Sequence, residues 1–257
     1  MNNQELKRRT EKGWQSGLST LLKREFRWWV TLSGLLQFGI WILVMNGLLV
    51  TITAVGTFAD PTVLDQGPDI LFRTLAIFTP IGILIIAQGA IIQERQSGTA
   101  AWVLSAPVSR PAFFLSKLIP LAIGNSIAMI IIPGLIAYIQ LTISFGGAPS
   151  VIPFFSGLAL IAIHLLFYLT LSLLGGTILD SRPAVLGLGF GVFIGGALLA
   201  GILPPAVTAF TPWLLGGFAL TVAQGQPIPS LIPVFVTIIY LIVFSAVGLW
   251  RFGKEKF

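Results

Sequence analysis

Cysteine is absent from this 257-residue chain, histidine occurs once, and charged residues make up only 9% of it. An ordinary soluble domain carries about 25%. The lack of thiols excludes a disulfide scaffold, thiolate metal sites and cysteine nucleophiles. The one histidine, His164, has no Asp, Glu or Cys within a helical turn, so no metal centre is indicated. Also missing is any Gly-x-x-x-x-Gly-Lys-Ser/Thr run, and with it the backbone cradle and lysine that hold ATP phosphates. No cofactor site is therefore expected on this chain.

What the sequence has in abundance is apolar surface, with 55% hydrophobic residues and a mean hydropathy of +0.94. This excludes a soluble enzyme or a disordered tail and indicates a membrane protein. A spanning helix takes roughly 20 mostly apolar residues, and six uncharged runs have that length: 30–55, 74–92, 118–145, 151–179, 183–203 and 229–250. Pro80, Pro120, Pro133 and Gly187 inside them are compatible with helices, because neighbouring helices satisfy the backbone groups that a kink frees. The expected fold is an all-α membrane protein: a tail and interfacial helix over 1–29, then six transmembrane helices over 30–257.

Charge gives the orientation. Placing the spans in order puts fourteen of the fifteen Lys and Arg on one side and only Arg73 on the other, where Asp60, Asp65 and Asp69 lie. By the positive-inside rule both termini are cytoplasmic in a multi-pass protein of the cell membrane. The net charge of +6 then reads as attraction to anionic lipid, not as a nucleic-acid surface. The basic stretch through Arg27 and the 26-residue apolar run after it are too long for a cleaved signal peptide.

Between tail and first span, Trp14, Leu18, Leu21, Leu22, Phe26 and Trp29 share one helical stripe, with Lys23, Arg24 and Arg27 opposite. Such a helix lies in the membrane interface, either anchoring the topology or docking a partner. Glu25 is out of place, because its angle puts it within the apolar stripe. On the outer side, the Pro- and Gly-rich stretch 204–228 holds apolar pieces too short to cross a bilayer. A re-entrant or interfacial helical pair is expected there, before the last span.

All nine carboxylates fall outside the six runs, whereas proton-coupled carriers need an ionisable group at membrane depth. An intramembrane enzyme would need a nucleophile with a base, or paired acids, at one depth. His164 reads as an interhelical hydrogen-bonding residue or a substrate contact. Gln88 and Gln140 are read in the same way, as are Asn46 and Asn125, which lie deeper in their spans. Gly187, Gly191 and Gly195 recur every four residues, a flat stripe that admits a close helix neighbour; Gly189 and Gly196 widen it. The stripe serves either packing within one subunit or a subunit interface or pathway wall.

The loop 93–117 carries most information. Gly98 permits a break after the second span, Thr99 can cap a short helix that ends before Pro107, and Ser109 followed by Pro111 signals the start of the third. The run Glu94-Arg95, Gly98-Thr99, Leu104, Pro107-Val108-Ser109-Arg110 and Lys117 resembles the Glu-Arg-x-x-Gly-Thr, Leu, Pro-Val-Ser-Arg, Lys pattern of type 2 ABC transporter permeases. The six spans, the elbow helix, the outer hairpin and the basic tail (Arg251, Lys254, Lys256) extend this resemblance along the chain. Where relatives more often carry an acidic or polar residue, this chain has Ala100-Ala101-Trp102.

The resemblance implies that 98–107 is a coupling helix seated in a cleft of an ATPase subunit, with Glu94, Arg95, Gly98, Thr99, Trp102, Leu104, Pro107 and Arg110 as coupling residues. It implies two ATPase partners that hold ATP and Mg, a second permease copy or homologue, and an exporter. The alternative is an ion-coupled carrier or channel acting without an ATPase; an anchor for another assembly would share the loop features. The apolar walls favour hydrophobic or amphipathic cargo.

Overall fold

The computed structural model describes residues 13–59, 66–105, 108–145 and 148–254. Among them the secondary structure is helical throughout, and six helices are long and apolar enough to cross a membrane. The first span is α2 (Leu32–Ala59), preceded by α1 (Leu18–Trp28), and the second is α3 (Gly67–Ala87). Two short helices follow, α4 (Ile92–Gln96) and α5 (Thr99–Ser105). The third span is α6 (Arg110–Ser126), a π-helical turn (Ile127–Ile131) and α7 (Ile132–Phe145) in one continuous rod. The fourth and fifth are α8 (Val151–Ile178) and α9 (Arg182–Ala200). One turn of α10 (Pro205–Thr208), a 3-10 turn (Pro212–Leu214) and α11 (Leu215–Ala223) lead to the sixth, α12 (Ile232–Lys254).

The six expected runs all become helices, but the boundaries move in an instructive way. The third span begins at Arg110 and runs 34 residues to Ile143, about 50 Å of helix against a hydrocarbon core of about 30 Å. An uncharged run marks the stretch that lipid can cover, whereas the helix itself continues until a cap ends it. Ser109 supplies that cap: its Oγ accepts from the N–H of Ala112 at 3.1 Å, and Pro111 occupies the first turn, where no donor is needed. Midway, Pro133 has no N–H to give the carbonyl four residues back, and the π turn absorbs the mismatch.

The core is built around α8, the most enclosed span; α2, α9 and α12 leave most of their surface on the outside of the chain. Phe154, Tyr168, Phe72, Leu165 and Ile161 are fully buried there. Phe72 and Phe154 meet edge to face, with ring centroids 5.5 Å apart. Glycine opens room for α11 beside α8: a Cβ on Gly157 would lie 2.7 Å from the carbonyl oxygen of Ala219, and one on Gly216 would lie 2.8 Å from Ala76 Cβ. Thus α11 sinks between α3 and α8, burying Leu215, Gly216, Ala219 and Ala223. Gly216 sits against His164, which stands halfway along α8.

Successive spans run in alternate directions, so α1, α4, α5 and the ends of α8 and α12 gather at one end of the bundle. Every described Lys and Arg except Arg73 lies there. Asp60 and Asp65 fall outside the described residues.

Candidate functional site: the ledge between the second and third spans

At this basic end the loop 93–117 is held by almost every element around it. In α1 and at the residue that caps it, Leu21 and Trp29 are buried, Leu18, Leu22 and Phe26 are half-buried, and Lys23, Arg24 and Arg27 are exposed, as the stripe requires. Trp14 is the correction to that stripe. Gly17 adopts φ +78° and starts the helix one turn later than expected, which leaves Trp14 in the preceding turn, exposed. Substitution at Gly17 is closed off twice, by that φ and by Val108, whose Cγ2 would lie 2.7 Å from an added Cβ.

Glu25 now has its explanation. It faces inward with the apolar stripe because Lys117, near the start of the third span, lies beneath it: Lys117 Nζ donates to Glu25 Oε1 at 2.9 Å and to Glu94 Oε1 at 2.8 Å. Arg24 adds a bond to Glu25 at 2.8 Å and approaches Glu94 at 4.0 Å. All three members of the central bridge are mostly buried, so each carboxylate uses Lys117 in place of the water it has lost. Burial pulls the Glu25 carboxyl upward, but Lys117 and then Arg24 outweigh it and hold the group below the usual carboxylate range. Glu94 is thereby joined to α1, chiefly through a shared lysine.

Arg95 turns the other way. Its guanidinium donates to the carbonyls of Gly176 at 3.1 Å and Leu179 at 3.0 Å and lies 3.6 Å from Asp180 Oδ1. It thereby caps the end of α8, where helix carbonyls lack partners and the dipole favours a cation. Gln96 donates to the carbonyl of Asp180 at 2.8 Å. Arg110 does the same for the last helix, donating to the carbonyl of Gly253, while Phe113 stacks on Phe252 with centroids 5.2 Å apart. Ser109 N–H donates to Ser16 O at 3.0 Å, and its hydroxyl donates to Trp14 O, tying the loop to the segment before α1.

Between these staples lies α5. Gly98 takes φ +73° and breaks the chain as expected. It is Gly98, however, that precedes the helix: its carbonyl accepts from Trp102 N–H at 3.1 Å, and Thr99 is the first helical residue. Val103 is buried and Leu104 half-buried against the bundle, while Trp102 is 76% exposed. Pro107 lies outside the described residues. The resemblance names Glu94, Arg95, Gly98, Thr99, Trp102, Leu104, Pro107 and Arg110 as coupling residues, Arg95 and Arg110 among them. The structure binds both to the chain's own helix ends and leaves Trp102 as the large outward side chain.

The remaining sequence candidates lie within the bundle. Gly187, Gly191 and Gly195 have nothing within 4 Å of an added Cβ, so their stripe packs against no described part of the chain. Gly189 and Gly196 do the packing instead, against Leu84 and the Trp213 ring. Asn46 and Asn125 are buried; Asn125 Nδ2 donates to Leu121 O at 2.8 Å, while the Asn46 carboxamide has no partner among the described residues. His164 Nδ1 is likewise without one among the described residues, so the interhelical bond that was one of its two readings is not made through that nitrogen. Gln88 donates to Ile85 O at 3.0 Å within its own turn.

Residues 43–257 match the family described as ABC-2 family transporter protein. This chain belongs to that family. An ABC-2 permease is the membrane transport subunit of an ABC transporter, not its ATPase. The chain is also 28% identical over 130 residues to the "Uncharacterized transmembrane protein YxlG" of Bacillus subtilis (strain 168), a match covering 49% of this permease and 50% of that relative. The permease thus spans about half the length of the curated relative it matches.

Proposed function

We propose that this permease is the path-forming subunit of an ATP-driven exporter. Two such subunits, identical or related, enclose the path, and two separate ATPase subunits holding ATP and Mg press on α5 from the cytoplasm. The observation that carries this reading is the arrangement around α5: a short helix with Trp102 bare, flanked on both sides by residues bonded to other spans. A push on α5 reaches α8 through Arg95, α12 through Arg110, the segment before α1 through Ser109, and α1 itself through Lys117. Nucleotide shifts the bundle only if the ATPases bind one arrangement better than the other, and a ledge tied to three helices communicates that difference.

In this reading α1 lies along the cytoplasmic interface as an elbow, with anionic lipid beside Lys23, Arg24 and Arg27. The segment through α10 and α11 enters the bundle from the outside as a re-entrant hairpin, supported by Gly216 lying beside the midpoint of α8. The bare face of Gly187, Gly191 and Gly195 fits a close-packed partner span from the second permease. Deleting residues 98–107 should leave insertion intact while uncoupling hydrolysis from transport in the reconstituted complex. Purification of the transport-active protein with no ATPase chain, or transport in ATP-free liposomes, would overturn the reading in favour of a carrier or channel.

A further inference from the structure

Between α1, the end of α3, α4 and the start of α6 lies a cavity of about 630 Å³, its lining completed by Arg182 of α9. That volume is in the range of small-molecule sites. The wall changes character with depth. Glu25, Glu94 and Lys117 stand at the basic end of the bundle, while Ile85 on α3 and Leu121, one turn deeper than Lys117 on α6, belong to the uncharged runs that lipid covers. Ile85 is exposed on the outside of the chain, so the apolar part of the cavity borders the surface that acyl chains cover.

The polar part offers acceptors and a donor. Every side-chain bond that Glu25 and Glu94 accept among the described residues goes to Oε1. Their Oε2 oxygens are neither paired nor enclosed, and the two side chains keep 22% and 18% of their surface. Because both Oε1 atoms lie within 2.9 Å of one ammonium, the carboxylates are neighbours. Arg182 is the donor. Its Nε lies 3.5 Å from the position of a Cβ on Gly89, and the residue is exposed, with no ion pair among the described residues. As the first residue of α9 it puts a positive charge at the helix end where the dipole disfavours one, so an anion beside it is doubly favoured.

The charge on the lining decides the class of occupant. Glu25 and Glu94 balance Lys117 and Arg182, so a head with negative charge alone meets two open carboxylates, and one with positive charge alone meets an unpaired guanidinium. A head that carries both signs satisfies each. We infer that the cavity holds the headgroup of a zwitterionic lipid from the leaflet at the basic end of the bundle, a primary ammonium donating to Oε2 of Glu25 and Glu94 and a phosphate accepting from Arg182, with an acyl chain leaving past Ile85 and Leu121. A trimethylated ammonium has no N–H to donate, so a phosphatidylethanolamine is favoured over a phosphatidylcholine. This site does not rest on the motor-driven reading, because every residue belongs to one chain and binding is measured with no ATPase present.

The test uses the full chain in phosphatidylcholine nanodiscs doped with a phosphatidylethanolamine that carries a diazirine on its acyl chain. Phosphatidylcholine and phosphatidylglycerol with the same diazirine are the comparators. The expected result is saturable photolabelling by the ethanolamine lipid, mapped to the end of α3 or the start of α6, and about tenfold weaker labelling by either comparator. Arg182→Gln, which removes a charged donor, should lower labelling about tenfold, and Gly89→Leu, which projects toward Arg182 and Gln93, should abolish it. Glu94→Gln should narrow the preference for ethanolamine over glycerol, a readout that loss of packing alone does not move. Thermal unfolding of each variant separates loss of the site from loss of the fold. Water-soluble phosphoethanolamine should not compete; competition would make the occupant a free zwitterion and remove the lipid. Equal labelling by all three lipids would overturn the inference. So would ethanolamine labelling that survives both Arg182→Gln and Gly89→Leu, or the absence of saturable labelling in the folded wild type, which would leave the cavity to water.

Discussion

Lys117 Nζ lies 2.9 Å from Glu25 Oε1, joining the start of the third span to the interfacial helix across 92 residues of sequence. With Glu94 on the same nitrogen at 2.8 Å, one ammonium holds three segments together. That geometry makes α1 part of the ledge.

Lys117→Met removes the shared partner and leaves two mostly buried carboxylates facing each other, with Arg24 as their remaining cation. The expected cost is roughly 2 kcal/mol, read as a lower melting temperature of the detergent-purified chain. Glu25→Gln should cost less, since Lys117 keeps Glu94. Equal melting temperatures in wild type and Lys117→Met would show that the bridge contributes nothing.

The Glu25 carboxyl is depressed in the folded chain, so its contribution to stability is fully present above the ordinary value of 4.5 and is lost as pH falls through the lower folded value. The unfolded chain binds the proton first as acid is added. Melting temperature should therefore decline below that ordinary value, and the decline should be shallower in Glu25→Gln. A steeper decline in the variant would contradict the assignment.

Two glycines of the fifth span should respond in opposite ways. Gly196→Ala drives a methyl into the Trp213 ring and should cost about 1–3 kcal/mol, whereas Gly191→Ala meets nothing within 4 Å and should leave the stability of the chain unchanged. Gly191→Leu should then lower transport with ATPase binding intact if this face meets a second permease. Full transport by a correctly inserted Gly191→Leu protein would remove that face from the interface.

Trp102 is the exposed aromatic of α5, and truncating a central aromatic anchor costs about 2 kcal/mol or more at an interface. Trp102→Ala should weaken ATPase association about thirtyfold without moving the melting temperature. Retained affinity would shift the contact to other residues of the ledge.

Arg95→Met uncaps α8 and strands the carbonyls of Gly176 and Leu179. A charged hydrogen bond contributes about 1.5–3 kcal/mol, so hydrogen exchange at the end of α8 should accelerate while α12, capped by Arg110, stays protected. Uniform acceleration across both ends would argue for global loosening instead.

Six spans, the breaks at Gly98 and Ser109, and the membership implied by the loop motif were legible because each rests on local chemistry: long uncharged runs, a left-handed glycine, a hydroxyl cap. Glu25 was legible as an anomaly and no more, since its angle on the helix showed it out of place without showing what lay beneath. The roles of Arg95 and Arg110 were missed because helix ends attract cations from anywhere in the chain, and their carbonyls leave no mark in the sequence. The glycine stripe at every fourth position was visible, but periodicity alone does not tell which face meets a neighbour. Gly189 and Gly196 proved to be the packed ones.

The sequence by itself determined that this chain lives in lipid, how many times it can cross, and where its helices break, because hydrophobic length and turn chemistry act over a few residues. Only the tertiary structure decided that Lys117 would serve two carboxylates, that α11 would sink to the midpoint of α8, and that Glu25 and Arg182 would share a cavity. Those outcomes depend on close packing between segments far apart in the chain, where a missing Cβ or one shared ammonium selects among arrangements that the hydrophobic pattern alone would allow equally.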